Sequence, residues 1–129
     1  MDKNELVKLA LEARKNSYSP YSGFKVGAAL LTKNGRVYKG CNVENGAFSP
    51  TNCAERTAVF SAVADGEKDF SAIAIVGGAD EINAFCPPCG VCRQVLSEFC
   101  SADFEIHLFD GEEIRTFTLG ELFPESFKL

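Results

Sequence analysis

The chain has 129 residues, 46% of them hydrophobic, and a formal net charge of −5 at pH 7. This length predicts a single domain over residues 1–129, and the hydrophobic content excludes a disordered chain. No run of about 18 apolar residues predicts a membrane span. The acidic balance argues against a nucleic-acid partner, because phosphate backbones bind basic surfaces, and it favours a small neutral substrate.

The beginning of the chain, Met1–Leu6, lacks the positively charged lead and the apolar run of a signal peptide. We therefore expect a cytoplasmic location, where thiols stay reduced. In that compartment the six cysteines are better interpreted as metal ligands and buried thiols than as disulfides.

The first half of the chain predicts a helix followed by a β-hairpin. Apolar residues at helical spacing indicate a helix over Asn4–Lys15, with Asn4 as its cap. A largely apolar run predicts a strand over Phe24–Thr32 that is buried on both faces. The dipeptide Asn34–Gly35 is typical of a two-residue hairpin turn, so Arg36–Asn42 is expected to return beside the first strand.

The second half of the chain alternates helices with strands. Its pattern predicts, in order, a helix over Cys53–Ala64, a strand over Ala72–Val76, a helix over Cys89–Phe99, strands over Phe104–Phe109 and Glu113–Phe117, and a short helix over Leu119–Phe123. Gly77 and Gly78 are expected to end the first of these strands. A tight turn at Asp110–Gly111 makes the last two strands a hairpin.

These elements predict an α/β protein of three layers. Two-residue turns force antiparallel pairs of strands, whereas the strand–helix–strand unit over Ala72–Phe109 favours a parallel pair. We therefore expect a mixed five-stranded sheet covered by helices on both faces, which is an α/β/α architecture.

Three cysteines and one glutamate carry the chemistry that the sequence suggests. Cys89 and Cys92 lie three residues apart at the start of one predicted helix, and Cys53 opens another. Free N–H groups and the helix dipole at these positions favour the thiolates that bind zinc. Three protein ligands leave the fourth tetrahedral position open to water, which is typical of a catalytic zinc site. Glu55 is placed to move the protons of that water.

Two other interpretations of the cysteines remain open at this point. A second Cys-x-x-Cys spacing begins at Cys86, so the motif could be a redox pair, or Cys86 could be the fourth ligand of a closed structural site. We favour catalytic zinc because Glu55 would have no role in a structural site, and we interpret Cys86 as a bystander. The only histidine, His107, is a weaker candidate ligand, and Cys41 and Cys100 are expected to be small buried residues.

Five motifs make the chain resemble a known family over nearly its whole length. They are Tyr21–Leu30, Gly40–Asn45, Cys53–Ala58, Pro88–Gln94 and Leu122–Phe127. Together they closely resemble the small homotetrameric cytidine deaminases, which implies a cytidine deaminase-like fold and one Zn²⁺ ion per subunit. The zinc site of the wider superfamily has histidine where this chain has Cys53, so the resemblance is to the three-cysteine class.

The resemblance implies a role for each matching residue. Zinc would be held by Cys53, Cys89 and Cys92, Glu55 would be the catalytic proton shuttle, and Arg56 would donate to the cysteine sulfurs and withdraw part of their charge. The nucleoside would be bound by Phe24 at the pyrimidine, Asn42 and Glu44 at the ribose hydroxyls, the Ala54 backbone at the base, and Phe127 from a neighbouring subunit.

The implied reaction converts cytidine or deoxycytidine to uridine or deoxyuridine with release of ammonia, a step of pyrimidine salvage. The alternatives are deamination of a related aminopyrimidine, such as a nucleoside antibiotic, and a zinc-stabilised or redox module without catalysis. A nucleic-acid-editing deaminase is disfavoured by the acidic charge.

Two residues depart from the family pattern, because Phe48 stands where relatives often have tyrosine and Gly46 loosens the same loop.

Overall fold

The computed structural model describes all residues from Met1 to Leu129 and contains four helices and five strands. The helices are α1 (Lys3–Arg14), α2 (Ala54–Ala64), α3 (Gly90–Phe99) and α4 (Leu119–Leu122). The strands are β1 (Lys25–Thr32), β2 (Val37–Cys41), β3 (Phe70–Gly78), β4 (Glu105–Phe109) and β5 (Ile114–Thr118). None of the helices has both the length and the apolar character that crossing a bilayer requires. Every element predicted from the sequence is present, in the predicted order.

The five strands form one sheet in the order β2-β1-β3-β4-β5. Strand β1 pairs antiparallel with β2 and with β3, β3 pairs parallel with β4, and β4 pairs antiparallel with β5. The parallel pair is the one that α3 connects, because parallel neighbours need a long crossover. The predicted mixed five-stranded sheet is therefore confirmed.

Helices cover both faces of this sheet, which confirms the α/β/α architecture. On one face α1 packs against β1 and β3 in a cluster that includes Leu6, Ala10, Ala29, Ala74 and Val76. On the other face α2 and α3 pack in a larger cluster that includes Leu30, Ala58, Ile73, Ile75 and Leu96. Because side chains of a strand alternate between the faces, strands covered on both sides must be apolar throughout.

Two glycines allow helices to lie very close to the sheet. A Cβ atom at Gly27 would lie 2.1 Å from the carbonyl oxygen of Ala10 in α1. A Cβ atom at Gly40 would lie 2.4 Å from the carbonyl oxygen of Ala54, the first residue of α2. Gly40 therefore lets β2 support the start of α2, next to Cys53.

The first helix begins earlier than the sequence predicted. Asp2, not Asn4, is the N-cap of α1, and its carboxylate accepts a hydrogen bond from the backbone N–H of Glu5 at 2.9 Å. Aspartate and asparagine are both good caps, so composition alone does not choose between them. The choice of Asp2 places Lys3 inside the helix.

The prediction of two-residue hairpin turns was wrong. Four residues, 33–36, lie between β1 and β2, and four more, 110–113, lie between β4 and β5. The Thr32 hydroxyl accepts a hydrogen bond from the Arg36 N–H at 2.9 Å, and the Asp110 carboxylate accepts from two backbone N–H groups of its own loop. Backbone hydrogen bonds also cross both links, from the Thr32 N–H to the Arg36 carbonyl at 2.8 Å and from the Asp110 N–H to the Glu113 carbonyl at 3.2 Å, so the side-chain bonds add to the backbone bonds there.

Strand β3 is also longer than predicted. Gly77 pairs with Val26 and Gly78 pairs with Lys25, so both glycines belong to the strand that they were expected to end. A Cβ atom at Gly77 would lie 2.7 Å from the Cys86 sulfur. Glycine is needed here to make room for the following loop, not to form a turn.

Candidate active site

Three cysteine sulfurs from the starts of two helices meet at one point. Cys53 is the N-cap of α2, Cys89 is the N-cap of α3, and Cys92 lies in the first turn of α3. Their Sγ atoms all lie within 4.8 Å of one another, and those of Cys53 and Cys89 are 3.7 Å apart. The fold thus brings together the three residues that the sequence predicted as metal ligands.

The arrangement of these sulfurs fits a tetrahedral zinc ion. With Zn–S bonds of about 2.3 Å, two sulfurs on such an ion lie about 3.8 Å apart. The distance between the Cys53 and Cys89 sulfurs is 3.7 Å. Thiolates are ligands that zinc accepts readily, and three of them leave one of the four positions open. Cys86 does not belong to this group of sulfurs.

Backbone and guanidinium groups are placed to stabilise negative charge on the sulfurs. The Cys92 N–H donates to the Cys89 sulfur at 3.5 Å, and Nη2 of Arg56 donates to the Cys53 sulfur at 3.2 Å. Nε of Arg56 is buried without a hydrogen-bond partner. Three thiolates on a dication leave a net charge of about −1, so a guanidinium in contact with them reduces the excess negative charge.

Two of the thiols share a proton unequally. A hydrogen bond from Cys92, assisted by Arg56, lowers the pKa of Cys53. The same interaction with Cys53, together with burial, raises the pKa of Cys92. A metal that binds both sulfurs must displace the proton that this pair of thiols shares.

Glu55 is the buried carboxyl group next to the sulfurs. It is 4% exposed and lies in the first turn of α2, two residues after Cys53. Burial raises the pKa of Glu55 to about 7, and the charge on Cys53 adds to this effect. A carboxyl group with such a pKa can both accept and donate a proton near neutral pH.

Asn42 lies in the segment that follows β2 and forms hydrogen bonds with the start of β1. Its Oδ1 atom accepts hydrogen bonds from the Val26 N–H at 2.9 Å and from the Ser17 hydroxyl. Its Nδ2 atom donates to the Phe24 carbonyl at 2.8 Å. An amide nitrogen carries two hydrogens, so one donor of Asn42 remains for a ligand. The structure thus gives this buried residue an internal role that the sequence did not reveal.

Glu44 presents an anchored carboxylate at the surface. Its Oε1 atom accepts from the backbone N–H groups of Tyr21 at 2.9 Å and Ser22 at 3.1 Å, and its Oε2 atom accepts from the Ser22 hydroxyl. The hydrogen bond from Ser22 lowers the pKa of Glu44, so the group is ionised at neutral pH. Sequence reasoning missed Ser22, because a serine in a predicted loop carries no signal for this contact.

Phe24 and Glu44 line two different cavities. Phe24 is 43% exposed and borders a cavity of 580 Å³ together with Gly77 and Phe85. Glu44 borders a cavity of 290 Å³ together with Phe48 and other loop residues. These two predicted nucleoside contacts therefore border separate cavities of the chain.

The other two predicted nucleoside contacts differ in exposure. Ala54 is fully buried at the beginning of α2. Phe127 is 64% exposed, and its carbonyl accepts a hydrogen bond from Nε2 of Gln94 at 3.3 Å. The ring of Phe127 is therefore accessible to another molecule, whereas no part of Ala54 is exposed at the surface.

The remaining thiols and the histidine lie outside the sulfur cluster. His107 lies on β4 with Nδ1 at 2.7 Å from the Thr116 hydroxyl, so it is not one of the ligands. Burial raises the pKa of the Cys86 thiol to about 11. Cys100 is buried, as expected, but Cys41 is only half-buried.

The comparisons with known proteins all point to the same family. The family model for the cytidine and deoxycytidylate deaminase zinc-binding region matches residues 1–108. A cytidine deaminase of Halalkalibacterium halodurans is 47% identical over 128 residues, covering 98% of this chain and 95% of that protein. A cytidine deaminase of Sporosarcina psychrophila is 45% identical, with coverage of 98% and 92%. The crystal structure of cytidine deaminase from Burkholderia pseudomallei matches with a TM-score of 0.91 at 45% identity, covering 98% of this chain and 100% of that one.

Proposed function

We propose that this chain, which belongs to the family of zinc-dependent cytidine and deoxycytidylate deaminases, catalyses the hydrolytic deamination of cytidine and deoxycytidine. The products are uridine or deoxyuridine and ammonia, which makes the reaction a step of pyrimidine salvage. The observation that carries this proposal is the buried carboxyl group of Glu55 next to three converging sulfurs. A purely structural zinc site has four protein ligands and no use for an acid–base group.

The three sulfurs would hold one zinc ion in each subunit. Cys53, Cys89 and Cys92 supply the thiolates, and Arg56 moderates their charge through its hydrogen bond to Cys53. When bound there, zinc supplies a Lewis acid that makes water reactive near neutral pH. The Cys86 thiol stays outside the ligand set and leaves the fourth position for water.

Glu55 carries the protons of the reaction. It takes one proton from the attacking water and delivers it to N3 of the pyrimidine, which makes C4 more electrophilic. After the C–O bond forms at C4, Glu55 passes the second water proton to the amino group. Ammonia then leaves as the C–N bond breaks and the C4 carbonyl forms. The burial that raises the pKa of Glu55 suits a group that must accept and release protons in turn.

The nucleoside is oriented by the residues around the segment after β2. The ionised carboxylate of Glu44 accepts from ribose hydroxyls, and the remaining amide hydrogen of Asn42 donates to one of them. Phe24 packs against the pyrimidine ring, and the Ala54 backbone contacts the base. The anchoring of Glu44 by two N–H groups and a hydroxyl supports this role, because a fixed acceptor loses little freedom on binding.

A homotetramer with sites shared between subunits is part of this proposal. Phe24 and Glu44 border separate cavities within one chain, and a neighbour that contributes the exposed Phe127 would close the site between them. A fully active monomer in light scattering would remove Phe127 from the active site. All six cysteines are free thiols, which suits the proposed cytoplasmic location.

A zinc assay combined with a spectrophotometric assay tests the proposed function. The purified protein is expected to contain about one zinc ion per chain and to release ammonia from cytidine and deoxycytidine. Cytosine and a single-stranded oligonucleotide serve as comparison substrates, because the Asn42 and Glu44 contacts require a free ribose. Release of ammonia from the oligonucleotide alone, or from none of these compounds, would contradict the proposal.

A further inference from the structure

One side chain on α3 connects the loop that carries Cys89 to the end of the chain. Arg93 directly follows Cys92, and its Nε atom donates to the Pro88 carbonyl at 2.7 Å. Its Nη1 atom donates to the carbonyl of Leu122, the last residue of α4. A single guanidinium thus joins two segments that are far apart in sequence, and one of them precedes a proposed metal ligand.

The next residue extends this connection to the C-terminal tail, which we define as residues 124–129. Nε2 of Gln94 donates to the carbonyl of Phe127 at 3.3 Å. This is the only hydrogen bond that the tail makes with the rest of the chain. The position of the tail therefore depends on α3, because the tail contains no helix or strand of its own.

Arg93 has no acidic partner. None of the ion pairs of the chain includes it, and both of its side-chain hydrogen bonds go to carbonyl oxygens in partly buried surroundings. A planar guanidinium donates in several fixed directions, whereas the ammonium of lysine lacks this fork. The contacts of Arg93 therefore hold two backbone segments together and do not neutralise a carboxylate.

We propose that Arg93 is a positioning residue that couples the metal loop, Pro88–Cys92, to the C-terminal tail. A metal held in this loop fixes the first turn of α3 and the carbonyl that Arg93 binds. The guanidinium then fixes the end of α4, and the adjacent Gln94 fixes the tail. By thermodynamic linkage, ordering of the tail strengthens metal binding by the same factor.

The consequence concerns Phe127, the tail residue proposed to reach a neighbouring active site. If the coupling holds, loss of the metal releases the tail and so removes a substrate contact as well as the reacting centre. This last step rests on the proposed function, but the coupling between the loop and the tail does not. The two can therefore be tested separately.

Digestion of the tail by a serine carboxypeptidase measures the coupling without any deamination assay. Zinc-loaded and chelator-treated wild-type protein are compared at concentrations that give the same mass in light scattering. Zinc is expected to slow removal of the tail by about fivefold or more, the low end of typical coupling strengths. In Arg93→Gln both forms are expected to lose the tail at the same fast rate. A zinc-dependent difference in Arg93→Gln equal to that of the wild type would overturn the proposal.

Arg36→Gln is the matched control, because Arg36 is an exposed arginine whose ion-pair partners are Asp65 and Glu67. It is expected to keep the wild-type difference in digestion rate. Arg93→Lys keeps the positive charge but loses the planar guanidinium with its several donors, so its tail is expected to be digested as fast as that of Arg93→Gln. Wild-type behaviour of Arg93→Lys would show that charge, not geometry, matters and would also overturn the proposal.

A third variant covers the case in which Arg93→Gln fails to fold. Gln94→Ala removes the bond to the tail and leaves the metal loop intact, so full zinc content and fast digestion in both states are expected. Unchanged digestion of Gln94→Ala would contradict the proposal. In kinetics, Arg93→Lys is expected to raise KM more than it lowers kcat. A protein inert toward cytidine would refute the proposed function while the digestion result stood.

Discussion

The metal-binding and nucleoside-binding parts of the candidate site are built in different ways. The sulfurs lie at the starts of two helices that pack on a buried sheet, so the core of a single chain determines their positions. Glu44 lies in a loop, among exposed aromatic rings of Tyr21 and Phe48. Phe48 also has a φ of 63°, a left-handed conformation that is uncommon for a bulky residue.

This difference separates the reaction from substrate recognition. The groups that carry the chemistry need fixed distances, and rigid helix ends supply them. Most of the proposed nucleoside contacts lie on loops, which tolerate change more readily and can be completed by another subunit. Substitutions in the first part are therefore expected to abolish the reaction, whereas substitutions in the second change affinity or stability by moderate amounts.

The largest effect is expected from Cys92→Ser. Cys92 is 1% exposed and belongs to the sulfur cluster, so its loss leaves only two thiolates in the site. We expect the zinc content to fall below half of the wild-type value and deamination to fall to the uncatalysed background. Metal analysis and ammonia release measure the two effects. Cys41→Ser, outside the cluster, is the control, and full zinc content in Cys92→Ser would show that the cluster is not the metal site.

Removal of the carboxylate at Glu55 is expected to separate catalysis from metal binding. Glu55→Gln keeps the shape of the side chain but cannot transfer protons, so kcat is expected to fall by about 10²–10⁴-fold with zinc retained. Steady-state kinetics and metal analysis test this, with the exposed Glu98→Gln on α3 as the control. Wild-type kcat in Glu55→Gln would remove this residue from the mechanism.

Substitutions at the two proposed ribose contacts are expected to change different properties, the melting temperature for Asn42 and the KM for Glu44. Asn42→Ala leaves the Phe24 carbonyl and the Val26 N–H without their partner, at a cost of about 1–3 kcal/mol for each buried group left unpaired. Its melting temperature is therefore expected to fall by several degrees. Glu44→Ala is expected to raise KM for cytidine with little change in melting temperature, since Glu44 lies at the surface.

Thermal melts and kinetics on both variants distinguish these roles. If Asn42→Ala melted like the wild type, the internal hydrogen bonds of Asn42 would contribute nothing to stability. An unchanged KM in Glu44→Ala would remove the carboxylate from the nucleoside site.

The smallest effect is expected from Cys86→Ser. The Cys86 sulfur lies against Gly77 and outside the group of three sulfurs. Zinc content and kcat are therefore expected to match the wild type, because the substitution leaves the three clustered sulfurs unchanged. Loss of the ion in this variant would favour a closed site with four cysteines and would contradict a catalytic metal.

Most of the fold and of the metal site could be predicted from the sequence, because local rules determine them. Apolar patterns and turn residues together located all nine elements, and the strand–helix–strand order predicted the parallel pair. The sulfurs were predictable because Cys89 and Cys92 share one helical turn and Cys53 begins another helix. The sequence spacing alone placed two ligands on one face.

The features that escaped prediction depend on contacts between distant residues. The hydroxyl of Ser17 meets Asn42 across 25 positions, and Arg93 meets Leu122 across 29. Neither of these contacts has a local pattern, since each requires the fold before the partners can meet.

X-ray absorption at the zinc edge of the purified protein tests the proposed chemistry most directly. A site that can activate water is expected to show three sulfur neighbours at about 2.3 Å and one lighter atom, with about one zinc ion per chain. Four sulfur neighbours, or protein that folds and deaminates cytidine without any metal, would contradict a zinc centre with an open position.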